Sequence, residues 1–175
     1  EHEDKNGMYW YFRYPAADGG EGVVVATSRP ETIFADVAIA VHPDDERYKD
    51  VIGKTVIMPV IGREIPIVAD TYAKMDKGTG AVKITPAHDP NDFEVGKRNN
   101  LPVVRTFTYD GHLTGAEDKR IADELIKSGK AAADEPEVLD CGKYAGMTTL
   151  EARKAILKDL EEGGYIKEIE PLKHE

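Results

Sequence analysis

The chain has 175 residues, of which 41% are hydrophobic and 32% charged, and a formal net charge of -10. Its length suffices to bury a core, and no apolar run approaches the roughly 20 residues of a membrane span. The acidic balance excludes a continuous basic groove for duplex nucleic acid, so neither a membrane nor DNA is expected as partner; a few nucleotides at one locally basic spot remain compatible. A single cysteine, Cys141, excludes an internal disulfide framework and fits a reducing, cytoplasmic setting. It reads as a small packing side chain. The opening stretch, EHEDKNGMYW, is acidic, has no signal-peptide layout and does not begin with Met, so a piece of a longer chain is expected.

Residues 8–14 (MYWYFRY) form a dense aromatic strand whose alternation puts Trp10, Phe12 and Tyr14 on one face. A hairpin-type turn, AADGGEG, precedes a β-branched strand at 23–26, which ends in Thr27, Ser28 and Arg29. Pro30 and Glu31 suit the first turn of a short helix reaching Asp36. A strand follows at 37–41, then a charged surface turn at 43–49 and short strands at 55–59 and 65–69. Such spacing points to a barrel or strongly bent sheet.

Residues 78–94, GTGAVKITPAHDPNDFE, are the stretch on which function centres. A strand at 81–85 runs into a polar turn, and Asp89-Pro90 opens a helix with Asp89 as N-cap and Pro90 at the first position. Lys83, His88, Asp89 and Asp92 thus gather at a strand end and a helix start. Gly78 and Gly80 allow a sharp turn, or a close approach of backbone to a ligand. Further on, a strand is expected at 103–108, a turn at Asp110-Gly111 and a helix over 116–128. A second helix runs from 148 or 149 to 162, with a Thr148/Glu151 capping box and an apolar stripe drawn from Leu150, Ala155, Ile156, Leu157 and Leu160. A strand at 165–169 closes the chain, and 171–175 reads as a frayed or linking end. The whole of 1–175 is expected to be one domain, β-rich and mixed α/β, with peripheral helices.

Several chemistries compete for the central stretch. His88, Asp89 and Asp92, with His42 or His112, offer metal-ligand types, but the chain lacks paired-histidine or paired-cysteine spacing and Lys83 lies beside them, so no metal is expected. Ser28 lacks a nucleophile-elbow context, and GTG is too short for a phosphate loop. A water-using site or a binding pocket remains. Lys83 reads either as a surface ion-pair lysine or as a group that stabilises developing negative charge. Asp92 reads as a capping carboxylate or a ligand, and His88 as a structural imidazole or a base. Arg29 has the look of an anion or nucleotide contact.

ATSRPET at 26–32 and GTGAVKITPAHDPNDFEVGKR at 78–98 resemble the hallmark motifs of the editing domain of valyl-tRNA synthetase, a class I synthetase family. AVHPDDERYK (40–49), IGKTVIMP (52–59) and REIPIVAD (63–70) are similar to it too. The likeness is close over 8–113 and looser over 114–175, a helical appendage with a closing strand. It implies the fold shared by the valyl, isoleucyl and leucyl editing domains: a closed six-stranded β-barrel-like core with peripheral helices. It also implies an activity, post-transfer hydrolysis of the ester of threonine mischarged onto valine tRNA. The alternatives are a non-catalytic module binding the tRNA acceptor end, or an editing domain of the leucyl or isoleucyl type. The HIGH and KMSKS signatures of the ATP-using synthetic site are absent from this sequence, and editing itself implies no cofactor. The implied partners are the acceptor end of the valine tRNA and the rest of the synthetase chain.

By resemblance, Asp92 holds the substrate's ammonium group and reads the threonine hydroxyl. Lys83 and Arg29 complete the catalytic set by holding phosphate or ribose oxygens and stabilising the oxyanion. Thr27 and Ser28 supply hydroxyls around the terminal adenosine, Ser28 standing where the family commonly has threonine. Asp36, Thr85, His88 and Asp89 match motif positions with supporting or water-orienting roles.

Overall fold

The computed structural model describes residues 7–171. They form two compact units. One comprises the described residues up to Pro30, Ala38–Ile84, and the chain from Ile156 onward; the other comprises Glu31–Val37 and Thr85–Ala155.

The first unit is built of strands. β1 (Met8–Tyr14) is the centre of a three-stranded antiparallel sheet, between β2 (Val23–Thr27) and β9 (Ile166–Pro171). Of the face expected to be buried, Phe12 and Tyr14 are fully buried and Trp10 is half-buried, while Tyr9 on the other face is exposed. Gly22 ends the β1–β2 turn at φ +85°, where a Cβ would lie 2.0 Å from the Tyr14 carbonyl oxygen, so only glycine fits. A four-stranded sheet holds β4 (Thr55–Ile57), β5 (Glu64–Ala69), β3 (Ala38–Val41) and β6 (Ala81–Ile84) in that order. β3 runs parallel to β5 and antiparallel to β6, with Ile39 opposite Lys83. β3 is buried on every residue, as its all-apolar sequence requires.

Among the described residues the expected closed six-stranded barrel is not found. The ladders form open sheets, and the gaps between them are bridged by other means. Pro15, which has no N–H, ends the β1 ladder. Beyond it a single bridge, Ala16 to Val56, reaches β4, with Ile57 N–H donating to Pro15 O at 2.7 Å. Beside β6, the Thr79 hydroxyl donates to Val24 O of β2 at 2.5 Å, a side-chain bond in place of a backbone ladder.

The second unit is mainly helical. A 3-10 helix covers Pro30–Ala35, the expected short helix. α1 (Pro90–Arg98), α2 (Ala116–Lys127) and α3 (Thr149–Glu162) are the longer helices, and α3 from Ile156 onward belongs to the first unit. The strand expected over 103–108 shrinks to β7 (Val104–Arg105), paired in parallel with β8 (Glu137–Val138). Past Arg105 the chain turns into a Thr108–His112 loop closed by Thr108 N–H to His112 O at 2.8 Å, which leaves no length for a longer ladder. On α3 the buried stripe is Ala152, Ile156 and Leu160, at helical spacing of four; Leu150 points to solvent. Phe34 packs edge-on against Tyr144 at 5.1 Å within this unit. The expected closing strand is shifted to 166–171, and the end expected beyond Pro171 lies outside the described residues. No described helix is long and apolar enough to cross a membrane.

Candidate functional site

The turn from Thr85 to Asp92 folds as its residues dictate. Asp89 is the N-cap: its Oδ1 accepts from Asn91 N–H at 2.7 Å and Asp92 N–H at 3.3 Å, and Pro90 takes the first helical position, where an N–H would have no partner. One more bond, His88 N–H to Thr85 O at 3.0 Å, closes the turn before the helix. This cap places Asp92 in the first turn of α1, where its carboxylate is favoured by the helix dipole.

Asp92 is only 5% exposed. Its Oδ2 accepts from Thr85 N–H at 2.9 Å and from the Thr85 hydroxyl at 3.2 Å. Both bonds arrive at one oxygen; among the described residues Oδ1 accepts none, which leaves it able to bind a further donor. A buried carboxylate with one oxygen anchored and one open is a rigid, monodentate acceptor. His88 presents its ring edge-on to Phe107, with centroids 5.9 Å apart. It also lines a cavity of about 290 Å³ with Ala87, Val103, Val104, Arg105, Thr106, Phe107 and Pro136.

The remaining expected residues divide between the two units. Asp36, fully buried, follows the 3-10 helix in the same unit as Asp92. In that unit too, Glu31 is buried and faces Arg153 of α3 at 3.9 Å, a pair that sequence reading missed because 122 positions separate charges with no local pattern. Lys83, Thr27, Ser28 and Arg29 belong to the strand unit. Lys83 is buried on β6, two residues before Thr85 along the chain. Thr27 ends β2 and is buried; its Oγ1 accepts from Arg29 N–H at 3.0 Å, turning the backbone, and the Arg29 residue itself is exposed. Thr85, Asp89 and Asp92 are therefore brought together by hydrogen bonds, with His88 on the same turn.

The Gly78-Thr79-Gly80 segment has a structural use. Gly80, at φ +84°, packs against the Arg47–Asp45 pair, and Thr79 fastens β2.

A family model described as leucyl-tRNA synthetase, editing domain, matches residues 46–161, about two thirds of the sequence. The chain belongs to this editing-domain family. Its curated relatives include valine ligases. The valine--tRNA ligase of Bacillus thuringiensis is 47% identical over 173 residues, covering 99% of this chain and 17% of the ligase. That of Fusobacterium nucleatum is 46% identical over 174 residues, with the same coverage. The chain thus spans about a sixth of the length of the relatives it matches. A structure of LeuRS from Agrobacterium radiobacter, a ternary complex with tRNA and LeuAMS, aligns with TM-score 0.48 at 20% identity, over 73% of this chain and 20% of that one. The valyl-type editing resemblance read from ATSRPET and KITPAHDPND stands, and it extends beyond 8–113 to nearly the whole chain.

Proposed function

We propose that this editing domain hydrolyses the ester of threonine mischarged onto valine tRNA, after transfer, as part of a valine--tRNA ligase working in the cytoplasm. The observation that carries the reading is Asp92, buried, with Oδ2 tied to Thr85 and Oδ1 open. A fixed anionic acceptor suits an ammonium group and a hydroxyl of the substrate, and a partly desolvated one binds them more strongly than a carboxylate in water.

Such a site answers a physical need. Valine and threonine are nearly isosteric, and an apolar pocket rejects an added hydroxyl by only about a hundredfold, a limit for which the valine enzymes are the standard instance. A second site discriminates strongly if it contains a polar group that valine would leave without a partner. Asp92 Oδ1 is that group in this reading.

Hydrolysis then needs a positioned water and no enzyme nucleophile or cofactor. Water adds to the ester carbonyl, the bond from carbonyl carbon to ribose oxygen breaks, the ribose oxygen takes up a proton and threonine leaves as the free acid. Lys83 and Arg29 supply positive charge for phosphate or ribose oxygens and for the oxyanion. Thr27 and Ser28 offer hydroxyls to the terminal adenosine. Thr85 anchors Asp92, Asp89 caps the helix that carries it, and Asp36 and His88 support the surrounding turns. The partners are the acceptor end of the valine tRNA and the remainder of the ligase, whose synthetic site uses ATP.

The test is to incubate the chain with threonyl- and valyl-esterified valine tRNA. Rapid loss of threonine alone is expected. Protection of both esters would make this a binding module instead. Asp92→Asn keeps the shape but removes the charge, and should slow threonyl release about a hundredfold or more. Unchanged release would remove Asp92 from the site.

A further inference from the structure

The 290 Å³ cavity beside His88 plays no part in the hydrogen bonds around Asp92, yet it is well furnished. Its size lies at the lower limit of small-molecule clefts, enough for one ring system. Val103, Val104, Phe107 and Pro136 give apolar walls, and Arg105 and His88 give polar, planar groups. Thr106, also in the lining, is 1% exposed, and its hydroxyl is buried without a hydrogen-bond partner among the described residues. Leaving a buried hydroxyl unmatched is costly, and a ligand edge that reached it would remove the cost. At Arg105 the guanidinium lies over the Tyr109 ring, 5.3 Å from its centroid, while Tyr109 itself is 96% exposed. An aromatic ring held face-open by an arginine is a stacking surface, and the cation is local in a chain whose net charge is -10.

We infer that this cavity and Tyr109 form a subsite for one unpaired nucleobase of the RNA strand whose end is edited. The base would stack with the Arg105–Tyr109 pair or the Phe107 face and present its polar edge to Thr106. A stacking platform reads π-faces rather than sequence, so the subsite adds affinity and positions the strand. The inference rests on the editing function proposed above. An apolar side chain from the rest of the ligase is the rival occupant.

The test uses amide NMR shifts of this chain titrated with the trinucleotide cytidylyl-cytidylyl-adenosine, beside a hydrolysis assay on threonyl-esterified tRNA. Saturable shifts at 103–107 and Tyr109 are expected. Tyr109→Ala should weaken trinucleotide binding about 5- to 150-fold, the range for losing one stacked base, and Tyr109→Phe should restore it. Replacing one nucleotide by an abasic residue should weaken wild type by a similar factor and leave Tyr109→Ala unaffected. Shifts that bypass these residues, or equal binding by Tyr109→Ala, would overturn the subsite. If hydrolysis of the threonyl ester persists in that case, only the subsite has failed; absence of hydrolysis in the unmodified chain would instead remove the editing function on which it rests.

Discussion

At Gly80 a backbone at φ +84° runs close beneath a side-chain pair. A Cβ there would lie 2.5 Å from an Arg47 terminal nitrogen and 3.0 Å from Asp45 Oδ2. Arg47 is fixed by two bonds to the Asp45 carboxylate, at 2.7 and 3.0 Å, and one to Met75 O at 2.7 Å. The guanidinium holds the Asp45 carboxyl below the usual carboxylate range. Gly80→Ala must therefore adopt a left-handed backbone and push Arg47 off its partners. We expect it to lose about 1–3 kcal/mol of stability by urea unfolding; a loss below 0.5 kcal/mol, about the scatter of surface substitutions, would mean that Arg47 yields freely. In the sequence this glycine was readable as a turn or a ligand approach, and the distinction lay in Arg47, 33 positions earlier. Asp89 was fully readable, because a cap depends on its own four residues. The bond from Thr85 to Asp92 was not, since strand and helix periodicities say nothing about the corner between them.

Between elements, β1 and β9 are joined by more than their ladder. The Tyr11 hydroxyl donates to Glu170 at 2.5 Å. That bond first, then burial and the negative charges of Glu170 and Glu168, push the Tyr11 pKa up from 10.0 to about 12. A group whose pKa is raised by folding stabilises fully below its unfolded value and loses that contribution as pH rises through the folded one. Stability should thus fall from pH 10 to about 12 more steeply than in Tyr11→Phe, by urea midpoints of the two proteins. Parallel curves would show that the bond does not survive in solution. The start of α3 carries the reciprocal cap expected from its sequence: Glu151 N–H donates to Thr148 Oγ1 at 3.2 Å, and Thr148 N–H to Glu151 Oε1 at 3.0 Å. Thr148→Ala should lower stability by about 1 kcal/mol in thermal unfolding, and no change would assign the helix start to packing alone. Helices announced themselves through caps and spacing. β7 was read within a longer strand at 103–108, and β8 was not, because a two-residue parallel pair depends on partners 33 positions apart and has almost no pattern of its own.

For the molecule as a whole, the mixture of strands and helices followed from periodicity and turn spacing, whereas the open arrangement of the strands did not. Closure is decided by which edges meet, and here Pro15 and the Thr79 hydroxyl interrupt the backbone ladders that a barrel would need. The division into two compact units was equally hidden, since the chain passes between them four times without a linker of distinctive composition. The acidic charge keeps any contact with RNA local. Binding of the short trinucleotide should accordingly depend only weakly on salt, in contrast to a protein that neutralises many phosphates.

The pairing of Met8 with Pro171 puts the entrance and exit of the described chain directly across one antiparallel rung. A host polypeptide can therefore carry this module at a single point, interrupted by no more than the width of a strand pair. The same geometry governs its response to force. Drawing the two attachment points apart loads the β1–β9 rungs one after another, as a zipper opens, rather than all together in shear. The β1–β9 ladder is thus the part such a pull would open, and the bond from Tyr11, three positions past Met8, to Glu170 is a side-chain catch along it.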